Sequence, residues 1–152
     1  MQKIGNREIY AGVVLFSSSL LLLTLVIFSF ISELSISGSL HFSQIFKALF
    51  GLLLTVLAVK GGMQLLMRKT SGWIISFSLL SFFSGVMAYG FVASFFTGVE
   101  IVSALVIEFL LILGIVFLAS YNTRQKFSFS QKIITPVLLL TGSLALLYIF
   151  IR

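Results

Sequence analysis

The sequence predicts an all-α integral membrane protein, a bundle of five transmembrane helices in a single domain over residues 1–152. Hydrophobic residues make up 59% of the chain and charged residues only 9%, with a mean hydropathy of +1.20. A soluble domain of this size needs many more polar residues to cover its surface. The apolar residues form long runs, and most basic residues stand between these runs. Together these observations indicate that lipid surrounds most of the chain.

Five apolar segments are each long enough to cross about 30 Å of hydrocarbon at about 1.5 Å per residue. The third and fourth must be separate, because one helix from Trp73 to Ser120 would be roughly 70 Å long. A turn is expected at Thr97–Glu100, where a glycine and a charge interrupt the apolar run. The first segment is too long for a signal peptide, so we expect it to remain as an anchor. The segments cover about 9–31, 43–67, 73–96, 99–121 and 133–151.

The charges between the segments predict the orientation. Basic residues occupy the N-terminus and every second loop, while the remaining loops are mainly acidic or uncharged. Because cytoplasmic loops are enriched in lysine and arginine, the N-terminus is predicted in the cytoplasm and the C-terminus outside. The terminal Arg152 is the exception. The basic residues on the predicted cytoplasmic side are Lys3, Arg7, Arg68, Lys69, Arg124, Lys126 and Lys132.

Composition also limits the location and the partners. The basic residues lie in ones and twos beside apolar runs, which indicates a lipid bilayer as partner and not a nucleic acid. The chain has no cysteine, which excludes disulfides and thiolate metal sites. The expected location is a cell membrane, crossed several times, and the composition favours a bacterial inner membrane.

The stretch ALVIEFLLIL places a carboxyl group, that of Glu108, inside the fourth span. Counted from Val99, Glu108 lies about 14 Å deep, close to the middle of a bilayer. A charged carboxylate at that depth costs about 2.5–3.5 kcal/mol on an insertion scale. Glu108 is therefore expected to be protonated, paired with another group, or in contact with water inside the bundle.

Hydroxyl groups and two lysines are the candidate neighbours of Glu108. The hydroxyls at a similar depth could bind a small ion or water, or could bond to their own helix backbone. Lys47 and Lys60 could reach toward Glu108 or extend to the nearer membrane surface. The hydroxyl candidates, one on each of the other spans, are Ser18, Thr55, Ser84 and Thr141.

Small residues at helical spacing predict where helices approach closely. On the second span the predicted packing face includes Ala58 and Gly62, and on the third span small residues form two separate runs with a spacing of four positions. The run Lys60–Gly62 has a second interpretation, a locally broken helix that lines a transport site. The predicted packing residues of the third span are Ser81, Gly85, Gly90, Ser94 and Gly98.

Two cytoplasmic features complete the prediction. Trp73 and Tyr10 are expected at the membrane surface as aromatic anchors. The loop over residues 121–132 is expected to be a plain basic loop, and the alternative is an interfacial segment with Phe127 and Phe129 in the lipid.

The sequence offers little support for an enzyme. It has one histidine and no aspartate, and no phosphate-binding loop, nucleophile elbow or metal-binding motif, so neither a metal nor a cofactor is expected. Two hypotheses remain. The first is a non-catalytic subunit or accessory component of a membrane complex, in contact with another membrane protein or with itself. The alternative is a small channel or a proton- or cation-linked transporter that uses Glu108.

Overall fold

The computed structural model describes residues 6–37, 42–93, 98–127 and 133–151, and these residues form α-helices joined by turns, with no strand among them. Five of the helices are long and apolar enough to cross a membrane, which confirms the predicted helical class and number of candidate spans. The helices are α1 (Asn6–Ser37), α2 (Phe42–Leu66), α3 (Thr70–Val92), α4 (Val99–Ala119), α5 (Tyr121–Lys126) and α6 (Ile134–Ile151).

The helix bounds differ from the prediction in several regions, and α1 extends to Ser37, past its predicted end near residue 31. The third span ends at Val92, before its predicted end, and residues 94–97 lie outside the described part of the chain. The expected plain loop after the fourth span instead contains α5, so that prediction was wrong. The short helix begins after Ser120, whose carbonyl oxygen accepts hydrogen bonds from the N–H groups of Thr123 and Arg124 at 3.1 and 3.0 Å.

The two ends of the bundle differ in charge. At one end α1 begins, α2 ends, α3 begins and α4 ends. We call this the basic end, because it carries Arg7, Arg68, Lys69 and Arg124. At the opposite end, α1 is followed by α2, and α3 by α4. The half of the bundle next to the basic end is called the basic half, and the other is called the opposite half.

The long helices form a ring of four with a fifth helix outside it. α1 packs against α2 and α4, and α3 packs against α2 and α4, so each helix of the ring has two main neighbours. α6 packs mainly on α3. In the most apolar window of α3, 39% of the residues are buried, compared with 6% for α6. α3 is therefore the centre of the bundle, and α6 is mostly surface.

The α2–α3 hairpin is held by a tight turn in the basic half. The N–H of Lys69 donates to the carbonyl of Gln64 at 2.9 Å, and the N–H of Arg68 donates to Leu65 at 3.0 Å. This is the Schellman pattern, with Arg68 at φ 58° in the position that glycine usually takes. Just beyond the turn, a Cβ on Gly72 would overlap the backbone of Gln64 and Leu65. The absence of a side chain at Gly72 therefore permits this close helix contact.

The outer surface of the bundle is apolar along all five long helices. Phe28, Val92 and Phe150 are 72%, 85% and 92% exposed, and they belong to α1, α3 and α6. Soluble monomers rarely expose large apolar areas of this kind. The exposed surface is the kind that a lipid environment favours.

Candidate functional site

Glu108 lies between α3 and α4 and bonds to a hydroxyl on the neighbouring helix. The Ser84 Oγ donates to Glu108 Oε1 at 2.6 Å. The second carboxyl oxygen, Oε2, is buried and makes no hydrogen bond to any described residue. Glu108 as a whole is half-buried. The site is thus a carboxyl group with one oxygen bound inside the protein and one buried oxygen available to a proton, a water molecule or a cation.

A second cross-helix bond fixes the register of α3 against α4. The Trp73 Nε1–H donates to the carbonyl of Leu118 at 2.9 Å. Along the two helices this contact lies roughly 16 Å from the Ser84–Glu108 bond, at the basic end. Between them Leu80 lies close to Gly114, where an added Cβ would be 3.2 Å from Leu80 Cδ1. The pairing of Ser84 with Glu108 is therefore one point in a continuous antiparallel contact.

The other predicted hydroxyls do not join this site. Thr55 Oγ1 donates to the carbonyl of Gly51 at 2.9 Å, on its own helix. Thr141 Oγ1 is buried and has no hydrogen-bond partner within the described residues. Ser18 lies on the wall of a cavity between the helices. Of the four candidates, Ser84 is the one that the described structure brings to Glu108.

The two lysines of α2 lie on different sides of the helix. Both are exposed, and neither pairs with Glu108 among the residues described. Lys47 lines the cavity between the helices. Lys60 lies in an open groove of about 490 Å³ that we call the Lys60 groove. Its lining residues are Thr55, Val56, Val59, Lys60, Met63, Gln64, Met67 and Lys69.

The predicted packing face of α2 is displaced by one residue at its basic end. Ala58 is buried as expected, whereas a Cβ on Gly62 would meet nothing within 4 Å. The close contact occurs at Gly61, where a Cβ would lie 2.7 Å from Ile75 Cγ2. One residue corresponds to a rotation of about 100° around a helix, so Gly61 and Gly62 lie on different faces. α2 is continuous through Lys60–Gly62, which contradicts the broken-helix interpretation.

The predicted packing residues of the third span are only partly at helix contacts. Gly90 is buried and Ser81 is half-buried. Gly85 is exposed, with nothing within 4 Å of an added Cβ. Gly98 lies in the turn before α4 at φ 55°, a backbone conformation that suits glycine, rather than in a helix contact. Ser94 lies outside the described residues.

Contacts at the basic end were missed by the sequence analysis. Arg7 Nη1 donates to Ser120 Oγ at 3.1 Å, and the Arg7 guanidinium lies 6.0 Å from the centre of the Phe117 ring. Tyr10 packs edge-on against the same ring at 5.1 Å. Glu8, in the first turn of α1, is only 1% exposed. These contacts join α1 to the end of α4, and no local motif in the sequence marks them.

Two aromatic residues expected at the lipid surface are inside the protein. Trp73 is 3% exposed, with its indole N–H bonded to Leu118, so the anchor prediction was wrong for this residue. Phe127 is 2% exposed, and its carbonyl accepts a hydrogen bond from Thr70 Oγ1 at 3.3 Å. The interfacial alternative was therefore wrong for Phe127, while Phe129 lies outside the described residues. Both side chains fill the basic half of the bundle, where burial removes them from lipid.

A cavity of about 730 Å³ lies among the five long helices. Most of its wall is apolar, with Phe82, Phe83 and Leu111 among the lining residues. Its polar residues include Ser17 and Ser18, near the middle of α1. No group of three or more potential metal-binding side chains occurs in the described parts of the chain.

Comparisons with protein-family models, with curated proteins and with solved structures found no match to this chain.

Proposed function

We propose that this protein is a non-catalytic, multispanning subunit or accessory component of a membrane complex. It resides in a cell membrane, with a bacterial inner membrane the favoured one, and its N-terminus faces the cytoplasm. The observation that carries the proposal is the position of Lys60, an exposed cation in a groove whose exposed α2 side chains are mainly apolar.

Lys60 lies within the apolar length of α2. It precedes the last residue of the helix, Leu66, by roughly 9 Å. Val59 and Met63 are exposed beside it, so the groove would face lipid if the protein were alone. A lysine in hydrocarbon is costly unless its ammonium group reaches the membrane surface or a carboxylate. Lys69 lines the same groove toward the basic end, so reaching that surface brings Lys60 near a like charge.

The groove has a further feature that suits a partner helix. Gln64 Oε1 is buried and makes no hydrogen bond within the described structure, so it offers an acceptor to an added donor. Gly62 also has open space above its backbone, but it lies on a different face of α2 and does not line the groove. We infer a transmembrane helix that carries a carboxylate, from another membrane protein or from a second copy.

Photocrosslinking in the native membrane tests this proposal. A photoreactive residue placed at Val59 is expected to capture one polypeptide in high yield, because Val59 lines the groove. The matched control places the same residue at Leu138 of α6, which is 67% exposed and outside the groove. Lys60→Leu should abolish the crosslink from Val59, and Lys47→Leu should not. If the photoreactive residues at Val59 and Leu138 crosslinked to lipid alone, and in equal yield, the proposal would be contradicted.

Glu108 supports a second candidate function, a small channel or a proton- or cation-linked transporter. The specific observation is the buried Oε2 oxygen, which has no hydrogen-bond partner among the described residues. Against it, Thr55 and Ser143 bond to their own helices and do not extend a polar path. Proton or cation flux into sealed vesicles tests the idea, since Glu108→Gln should abolish a flux that depends on the carboxyl group. A flux unchanged by this substitution would exclude a role for Glu108.

The proposed orientation has a direct test, because the chain contains no cysteine. Single cysteines at Asn122 and Glu100, which are both exposed, lie at the basic and opposite ends. A reagent that cannot cross the membrane, added to intact cells, should label the cysteine at position 100 and not the one at position 122. The reverse pattern would place the N-terminus outside.

A further inference from the structure

The cavity among the helices is long and narrow. Along α1 its wall extends from Tyr10 to Val26, roughly 24 Å at the helical rise. A volume of about 730 Å³ falls within the range of small-molecule pockets. The length and the largely apolar lining suit an extended apolar chain.

The wall of the cavity is apolar except near its ends and the middle of α1. Phe50, Leu54, Val86 and Leu111 line it from three helices, so an occupant along most of its length must be apolar. Among the described residues that line this wall, Lys47 is the only charged one. The wall therefore offers a long apolar site with one cation.

Lys47 lies near the opposite end of the bundle. It follows the first residue of α2, Phe42, by roughly 8 Å, a depth at which a lysine reaches the headgroup region. An anionic group at the membrane surface would contact the Lys47 ammonium group there, while a chain attached to that group occupies the cavity. The positive charge of Lys47 thus favours an anionic headgroup, and the apolar wall favours an apolar chain.

The exposed lining residues show where such a chain would enter. Leu21 and Leu25 of α1 are 51% and 59% exposed, and Leu110 of α4 is 39% exposed. The described side-chain contacts between α1 and the end of α4 lie at the basic end, through Tyr10 and Arg7. The cavity wall is thus exposed at these residues of α1 and α4, and lipid can reach it there.

We propose that this cavity binds one anionic lipid, with an acyl chain between the helices and the headgroup at Lys47. The site is separate from the Lys60 groove, because Lys47 lines the cavity and Lys60 does not. Its occupant is a lipid of the surrounding membrane, so the inference does not depend on the partner proposed above.

A photoreactive lipid tests the inference. The full chain is placed in vesicles of phosphatidylcholine that contain a small fraction of phosphatidylglycerol with a diazirine on one acyl chain, and labelled peptides are identified by mass spectrometry. We expect labelling of Val86 and Leu111 on the cavity wall. The matched lipid, phosphatidylcholine with the same diazirine chain, should label these residues about fivefold less, the factor that one basic residue near a membrane surface contributes.

Two substitutions on α2 complete the test. Lys47→Gln should remove the preference for phosphatidylglycerol at the cavity wall, and Lys60→Gln should leave it unchanged. A third variant, Val86→Phe, should reduce labelling of the wall by either lipid, because it fills the cavity. Labelling confined to outward residues such as Leu138 and Leu146 would overturn the proposal, as would a lipid preference that survives Lys47→Gln. The proposal would also be overturned if a second copy of the chain, crosslinked at the cavity, prevented the lipid from labelling the cavity wall.

Discussion

The basic half and the opposite half of the bundle are built from equally apolar helices but are packed differently. In the basic half, side chains bond across elements, as Trp73 does to Leu118 and Arg7 to Ser120. In the middle and the opposite half, the same helices surround much of the cavity, although its wall also reaches Tyr10 at the basic end, and the Ser84–Glu108 bond lies near the middle of the bundle. The difference shows that an apolar sequence does not by itself specify close packing.

This contrast assigns different roles to the two halves. Close packing and cross-helix bonds make the basic half the part that resists separation of the helices. Among the described residues the opposite half has fewer such contacts, and it contains much of the cavity, so it can accept a ligand without breaking the bundle. Matched substitutions at closely packed positions and at positions beside open space or the cavity separate these two roles.

The largest expected effect is that of Gly72→Ala. Because the new Cβ would overlap the backbone of Gln64 and Leu65, the α2–α3 hairpin would have to separate. We expect a loss of about 3 kcal/mol or more in the free energy of unfolding, measured by denaturant titration in detergent micelles. Gly62→Ala is the control, since open space surrounds that position, and it should change the stability by less than about 1 kcal/mol. Equal losses would show that the hairpin is not closely packed.

Removal of leucine side chains should give the next largest difference. Leu65 is 0% exposed, so Leu65→Ala should cost about 2–5 kcal/mol by leaving an unfilled space. Leu110 is 39% exposed at the cavity, so Leu110→Ala should cost about 1 kcal/mol or less. The same unfolding titration compares them. Similar costs would remove the distinction between the closely packed core and the cavity wall.

A smaller effect is expected from Trp73→Phe. Phenylalanine keeps the aromatic contact with Phe77, whose ring lies 4.9 Å from that of Trp73, but it lacks the N–H that bonds to Leu118. The expected loss is about 1–2 kcal/mol in thermal or chemical unfolding. An unchanged stability would mean that the indole bond does not hold α3 against α4.

The smallest expected effect is the coupling between Ser84 and Glu108. A double-mutant cycle with Ser84→Ala and Glu108→Leu should give a coupling of about 0.6 kcal/mol and at most about 1.7 kcal/mol. Glu108→Gln keeps an acceptor for the Ser84 hydroxyl and should change the stability less than Glu108→Leu does. As a control, Thr55 bonds to its own helix, so Thr55→Ala paired with Glu108→Leu should show no coupling. Coupling equal to that of the Ser84 pair would argue against a specific bond.

The sequence predicted the number of long apolar helices well, because length and apolar composition decide which segments can span a membrane. It did not predict which face of each helix is buried, since apolar residues surround every helix and no periodic pattern marks an inner side. Gly61 and Gly62 illustrate this, because spacing favoured Gly62 while the close contact is at Gly61. Glu108 and Ser84 were both identified as candidates from their depth, but their direct bond depends on the register of α3 and α4.

The cavity and the basic-end contacts could not be predicted for a related reason. The cavity is lined from five helices, and the sequence alone does not give the angles between them. The sequence predicted Trp73 as a surface anchor because tryptophan is common at membrane surfaces, yet Leu118 of α4 and Phe127, just after α5, bond to that end of α3.

The mass of the intact particle after gentle extraction from the native membrane tests the central proposal most directly. A single chain has a mass of 16.8 kDa. The proposal predicts a heavier particle that contains a second polypeptide in fixed ratio, lost with Lys60→Leu and retained with Lys47→Leu. A particle with the mass of one chain, unchanged by either substitution, would contradict it.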